Sequence, residues 1–100
     1  MVAPIENLTR VTGTIKARSS HPSLAGWDVV TLAVSGTEPV DGTADLLTDK
    51  IHGEAELAVR HDLLPDEAIG SRVSCRAKLT PAGAMCEAYP SPEDFTVSTS

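Results

Sequence analysis

The side chains with reactive chemistry in this chain are three histidines, two cysteines and a set of spaced aspartates. His21, His52 and His61 stand in or beside turn-rich stretches. Zinc sites are built on close ligand pairs, such as two cysteines a few residues apart, and the sequence holds no such pair. Cys75 and Cys86 are far apart in sequence. A nucleophilic cysteine needs an electropositive, part-exposed setting. The alternation around Cys75 points it inward instead, so both cysteines read as small buried hydrophobes. A disulfide between them would need a bulge to bring the sulfurs together. Asp41, Asp45 and Asp49 recur every four residues and would line one face of a helix, but they lack the spacing of a calcium-binding loop. A solvated acidic edge is the better reading. No acid/base pair can be placed at a shared site. The expectation is a protein without catalytic residues, metal or cofactor.

Composition narrows the remaining classes. One hundred residues make one domain with a modest core of its own. Trp27, Tyr89 and Phe95 are the only aromatics, so the core must come from Val, Leu, Ile and Ala. Eight Lys and Arg face fourteen Asp and Glu, for a net charge of −6. Counterion release on phosphate needs clustered positive charge, so this balance disfavours nucleic acid and anionic membrane surfaces. No apolar run approaches the ~20 residues of a membrane helix. The opening Met1-Val2-Ala3-Pro4-Ile5-Glu6-Asn7 has neither the basic nor the apolar region of a signal peptide. The expected compartment is cytoplasmic, where free thiols are the rule.

The elements that must position any site follow from hydrophobic periodicity. Residues 1–7 read as a flexible lead-in, 8–97 as one domain and 98–100 as a tail. The run from Leu8 to Arg18 has period two, with Val11, Ile15 and Ala17 on one face and Thr12, Thr14, Lys16 and Arg18 on the other. Gly13 falls mid-strand on the apolar face, which marks a bulge, a bend or a close backbone approach. A second strand, Trp27 to Ser35, turns Val30, Leu32 and Val34 inward and Trp27, Val29, Thr31 and Ala33 outward. From Gly36 to Gly53 periodicity does not arbitrate. Thr43 to Ile51 is either a short helix capped by Thr43 or an edge strand. Glu54 to Arg60 is a third strand, with Ala55, Leu57 and Val59 inward. Pro65, the acidic pair Asp66-Glu67 and Gly70 then match the start and stop signals of a short helix. A fourth strand, Arg72 to Leu79, alternates strictly and enters a Thr80-Pro81-Ala82-Gly83 turn. Pairing Leu79 with Ala84 sets Ala77 opposite Cys86 and Arg76 opposite Glu87, a favourable charge pair. Ala84 to Tyr89 is the fifth strand, and Phe95 to Val97 adds a last short one.

Strand, strand, strand, short helix, strand, strand is the order of a five-stranded Greek-key barrel, and from Leu8 to Tyr89 the chain resembles the OB-fold. The resemblance is one of fold and not of a particular family. It implies an all-β barrel with one short helix between strands three and four. It also implies that strands one and four are neighbours and that ligands meet the outer face of strands two and three. On that face lie Trp27, Val29, Thr31, Glu54, Glu56 and Arg60. A single-strand nucleic-acid binder there needs stacking aromatics and a basic groove. One aromatic and two glutamates fit poorly, and Trp27 reads better as a half-buried ring sealing the barrel end. Lys16, Arg18, Arg76 and Lys78 would share the face of strands one and four as a basic stripe. Scattered surface ion pairs are the plainer reading of the same residues.

The function expected is a non-enzymatic binding module for protein–protein interaction or assembly, including self-association through the apolar outer face of Val29, Thr31, Ala33 and Ala58. The alternative is single-stranded nucleic-acid binding through Trp27 and the basic stripe. A small-molecule or oligosaccharide receptor is a further alternative without a residue of its own to support it.

Overall fold

Val, Ile and Leu at every second position give strands with one apolar edge, and these strands close on themselves. The computed structural model describes residues 7–81 and 83–98. Most of the lead-in, the end of the tail and Ala82 of the expected turn lie outside the described residues. The strands are β1 (Thr9–Ser20), β2 (Trp27–Pro39), β3 (Glu54–Arg60), β4 (Arg72–Thr80), β5 (Gly83–Cys86) and β6 (Phe95–Ser98). β1 pairs antiparallel with β2, and β2 with β3. β3 meets β5 in parallel at Ala58 and Met85, and β5 runs antiparallel to β4. β4 returns to β1 and closes an all-β barrel of five strands in the order 1-2-3-5-4-1, consistent with an OB-like small barrel. β6 pairs with the first half of β4, on the side where β5 has paired with the second half.

The core is the inner face of that wall. Val11, Ile15, Val30, Leu32, Leu57, Val59, Val73, Cys75, Ala77 and Cys86 are all buried. Each large apolar side chain among them contributes roughly 1.5–3 kcal/mol by leaving water. Leu47, Leu64 and Ala68 come from outside the strands and join the same cluster.

Two irregularities in β1 shape the barrel. One is a register shift between Thr12 and Gly13, where the backbones of β1 and β2 come very close. A Cβ on Gly13 would lie 2.5 Å from the Ala33 carbonyl oxygen, so only glycine fits. The other falls between Ile15 and Ala17, with Lys16 as the extra residue. It reverses the alternation beyond it. Ala17, expected inward, is exposed, and Arg18, expected outward, pairs with the inward-facing Val30. A single inserted residue moves every later side chain to the opposite face.

The stretch after β2 is neither a helix from Thr43 nor an edge strand. It holds a 3-10 turn at Thr48–Lys50, organised by Asp45. The Asp45 carboxylate accepts from the Thr48 hydroxyl (2.6 Å), the Thr9 hydroxyl (2.7 Å) and the amides of Thr48 (3.1 Å) and Leu47 (3.3 Å). These bonds, led by that of Thr48, hold its pKa below the ordinary 3.8. Thr43 instead donates to the Val40 carbonyl. Asp41, Asp45 and Asp49 therefore share no helical face.

Between β3 and β4 the short helical element is a 3-10 turn at His61–Leu63, ahead of Pro65 rather than after it. The residues that follow dock on the barrel end. Leu64 and Ala68 are buried, Gly70 donates to the Ile15 carbonyl, and the Ile15 amide donates to the Ser71 carbonyl. Gly70 has φ +92°, the left-handed region expected of it. These few residues are too short to gain from helix propagation, and packing decides their path.

The β4–β5 register is the expected one: Leu79 faces Ala84 and Ala77 faces Cys86. No helix among the described residues is long and apolar enough to cross a membrane.

Candidate functional site

Trp27 opens β2 and Arg60 closes β3, and the register sets them side by side on the outer face. Tyr89 follows β5 and is 86% exposed. The Arg60 guanidinium sits 4.6 Å from the centre of the Tyr89 ring, a cation–π contact. Its own nitrogens donate to the Ala88 carbonyl (3.0 Å) and to Asp62 (2.6 Å), so the guanidinium is fixed beneath the ring. Trp27, Arg60, His61 and Tyr89 line a shallow cleft of about 370 Å³ at this end of the barrel. Along the face from Trp27 lie Val29, opposite Ala58, and Thr31, opposite Glu56. Ala58 in turn neighbours Met85 of β5, and the patch is apolar in its middle and acidic toward Glu54 and Glu56. A larger hollow of about 610 Å³ begins on the other side of Tyr89, lined among others by Asn7, Lys78 and Glu87.

Beside the cleft, Asp28 is a carboxylate on the inner face of β2, only 5% exposed. Its Oδ2 accepts from Arg18 Nε at 2.7 Å and from His61 Nδ1 at 2.8 Å. Arg18 also donates to the carbonyl of Pro65 at 2.8 Å. Burial pushes the Asp28 pKa up, but the hydrogen bonds and charges of Arg18 and His61 outweigh it and leave the pKa below 3.8. His61 Nδ1 lies 2.8 Å from Asp28 Oδ2 and 3.2 Å from Arg18 Nη2, on a side chain that is 64% exposed. Asp28 belongs to no motif, but period two from Val30 and Leu32 places residue 28 on the inner face, where a carboxylate needs a partner.

The expected basic stripe does not assemble. Arg18 is turned inward by the bulge and engaged by Asp28. Arg76 makes a bidentate pair with Glu87 (2.7 and 2.8 Å) and also reaches Asp94 at 3.4 Å. Asp94 takes Arg10 at 3.0 Å as well. This network ties the approach to β6 across β1 and β4, where Arg10 and Arg76 stand opposite each other. Lys16 and Lys78 are exposed and enter no ion pair among the described residues. They sit toward opposite ends of the β1–β4 ladder. Arg76 faces Arg10, and six positions of strand from Arg10 to Lys16 span about 20 Å.

Cys75 and Cys86 are both buried and free. Their sulfurs are 3.1 Å apart and unbonded, with no break in the β4–β5 register. Among the described residues no cluster of three or more His, Cys, Asp or Glu is placed to hold a metal.

No family model, no curated protein sequence and no solved structure matches this chain.

Proposed function

We propose that residues 8–97 are an OB-like binding module without enzymatic activity, which acts by protein–protein contact or assembly, and that the contact centres on Trp27, Arg60 and Tyr89. The observation that carries this reading is Tyr89, a large aromatic ring exposed on an aromatic-poor chain and stacked over the Arg60 guanidinium. Trp, Tyr and Arg are the residue types that dominate the energetics of protein interfaces. Here all three line one cleft, next to the apolar stretch of Val29, Ala58 and Met85.

Size-exclusion chromatography with light scattering tests the reading, on the chain alone and after capture from lysate. Self-association or a retained protein partner that is lost in Tyr89→Ala supports it. A strict monomer that retains no protein refutes it.

The same two rings and arginine also favour a second reading, stacking of single-stranded nucleic acid on the outer face. Against it stand Glu54, Glu56 and Asp62 around the face and the pairing of Arg60 with Asp62. Trp27 is the only tryptophan, so its emission reports the site directly. Emission unchanged by oligonucleotide at low salt removes this second reading.

A further inference from the structure

Cys75 and Cys86 come from separate strands of the wall, and each is 1% exposed. Cys86 faces Ala77, so the two cysteines are diagonal neighbours. Diagonal side chains on a flat sheet stand well apart, yet these Sγ atoms are 3.1 Å from each other. That is closer than van der Waals contact between sulfurs, and a disulfide bond is ~2.05 Å. Closing the gap takes about 1 Å of sulfur movement. The chain has no third cysteine to compete.

We propose that Cys75 and Cys86 form a redox pair, a dithiol that closes reversibly to an intramolecular disulfide across the β4–β5 wall with a small hydroperoxide as oxidant. Both thiols are buried, so reaction requires local opening of the β4–β5 wall, which admits hydrogen peroxide, little larger than water, more readily than a bulky disulfide reagent. The Cys86 thiol is pushed well up by its hydrogen bond with Cys75 and by burial. One sulfur of the pair attacks peroxide as its thiolate, the O–O bond breaks, and a sulfenic acid and hydroxide result. The other sulfur then displaces the sulfenic oxygen, and its proton leaves with that oxygen as water. Overall, two thiols and one peroxide give one disulfide and two waters, with two electrons passing from sulfur to oxygen. A dithiol reductant reverses the bond. The crosslink pins β5 one residue before Glu87, whose carboxylate grips Arg76, and three residues before Tyr89.

Mass spectrometry of the folded chain tests the proposal. Brief hydrogen peroxide treatment should give a peptide Val73–Arg76 linked to Leu79–Ser100 after tryptic digestion, in a monomeric protein, reversed by dithiothreitol. Oxidised glutathione should leave the folded protein unchanged. The oxidised form should melt higher, by about 10 °C. Cys86→Ser should lose the linked peptide, and Cys86→Ala, which leaves no polar atom in the core, provides the same control if the serine variant unfolds. The proposal is overturned if peroxide adds oxygen to Cys75 or Cys86 without linking them, links two chains instead of one, or leaves both thiols free while Met85 is oxidised.

Discussion

Replacing Arg18 with methionine tests whether the inward turn of this arginine supports the fold. The substitution removes the Nε bond to Asp28 at 2.7 Å and the bond to the Pro65 carbonyl at 2.8 Å, and keeps most of the apolar stem. It leaves Asp28 buried with the His61 ring as its remaining side-chain partner, a ring that is itself largely exposed. Removing one member of a buried pair costs about 3–5 kcal/mol. The Arg18 side chain is 13% exposed and lets some water in, so the lower end, about 3 kcal/mol, is expected. For a domain of this size total stability is about 5–15 kcal/mol, so the loss is large. Thermal unfolding followed by circular dichroism should show Tm lower by about 12–24 °C. Urea unfolding should show a lower midpoint at unchanged slope. The double variant Arg18→Met with Asp28→Leu removes both charges, and should be more stable than Arg18→Met alone. The pH profile has a fixed sign. The Asp28 pKa is depressed in the folded state, so the unfolded chain binds its proton more readily. The stabilisation from Asp28 is complete above its ordinary pKa of 3.8, and is lost as pH falls through the lower folded value. A cost below about 1 kcal/mol for Arg18→Met would place Arg18 among ordinary surface charges and refute the reasoning.

Further outcomes follow from packing and exposure. Gly13→Ala drives a Cβ to 2.5 Å from the Ala33 carbonyl, against backbone that cannot rotate away. It should cost about 1–3 kcal/mol by urea unfolding. Gly36→Ala meets no atom within 4 Å and should stay within about 0.5 kcal/mol of wild type. Arg76→Gln breaks contacts to Glu87 and Asp94 on part-exposed side chains and should cost about 1 kcal/mol, less in high salt. Tyr89→Ala should change stability by less than about 0.5 kcal/mol while abolishing any association measured by light scattering.

Much of the barrel is legible in the sequence because it rests on local rules. Alternation around Val30 and Leu32, Leu57 and Val59, and Val73 and Cys75 gives strands whose inner faces are the observed core. The β4–β5 turn and the charge pair of Arg76 and Glu87 fix a register that the hydrogen bonds reproduce. Gly13 marks a close approach because a missing Cβ in a strand needs a reason. Other features depend on distant partners. The bulge at Lys16 leaves no trace in an apolar/polar pattern, yet it reverses Ala17 and Arg18. Asp45 draws together Thr48, a near neighbour, and Thr9, 36 residues away, in a stretch with no period of its own. The helical signals after His61 are sound locally, but docking of Leu64 and Ala68 overrides them. Tyr89 ends the expected fifth strand, and only the folded chain places its ring over Arg60.

The fate of the cations bears most directly on what the molecule can bind. Arg10, Arg18, Arg60 and Arg76 are each matched to a carboxylate, and three of these pairs or networks join separate parts of the chain. The fourth, Arg60 with Asp62, neutralises the guanidinium beside Trp27 and Tyr89. Lys16, Lys50, Arg72 and Lys78 remain outside these pairs among the described residues, on different elements and not around one groove. Phosphate binding gains from counterion release in proportion to the cations gathered on one track. Here the arginines instead hold the barrel end shut at Asp28 and fasten the approach to β6 at Asp94. What is left at the cleft is two aromatic rings, a neutralised arginine and the Asp62 carboxylate. If the proposed protein contact is made here, the net charge of −6 that repels phosphate favours a neutral or basic partner over an acidic one.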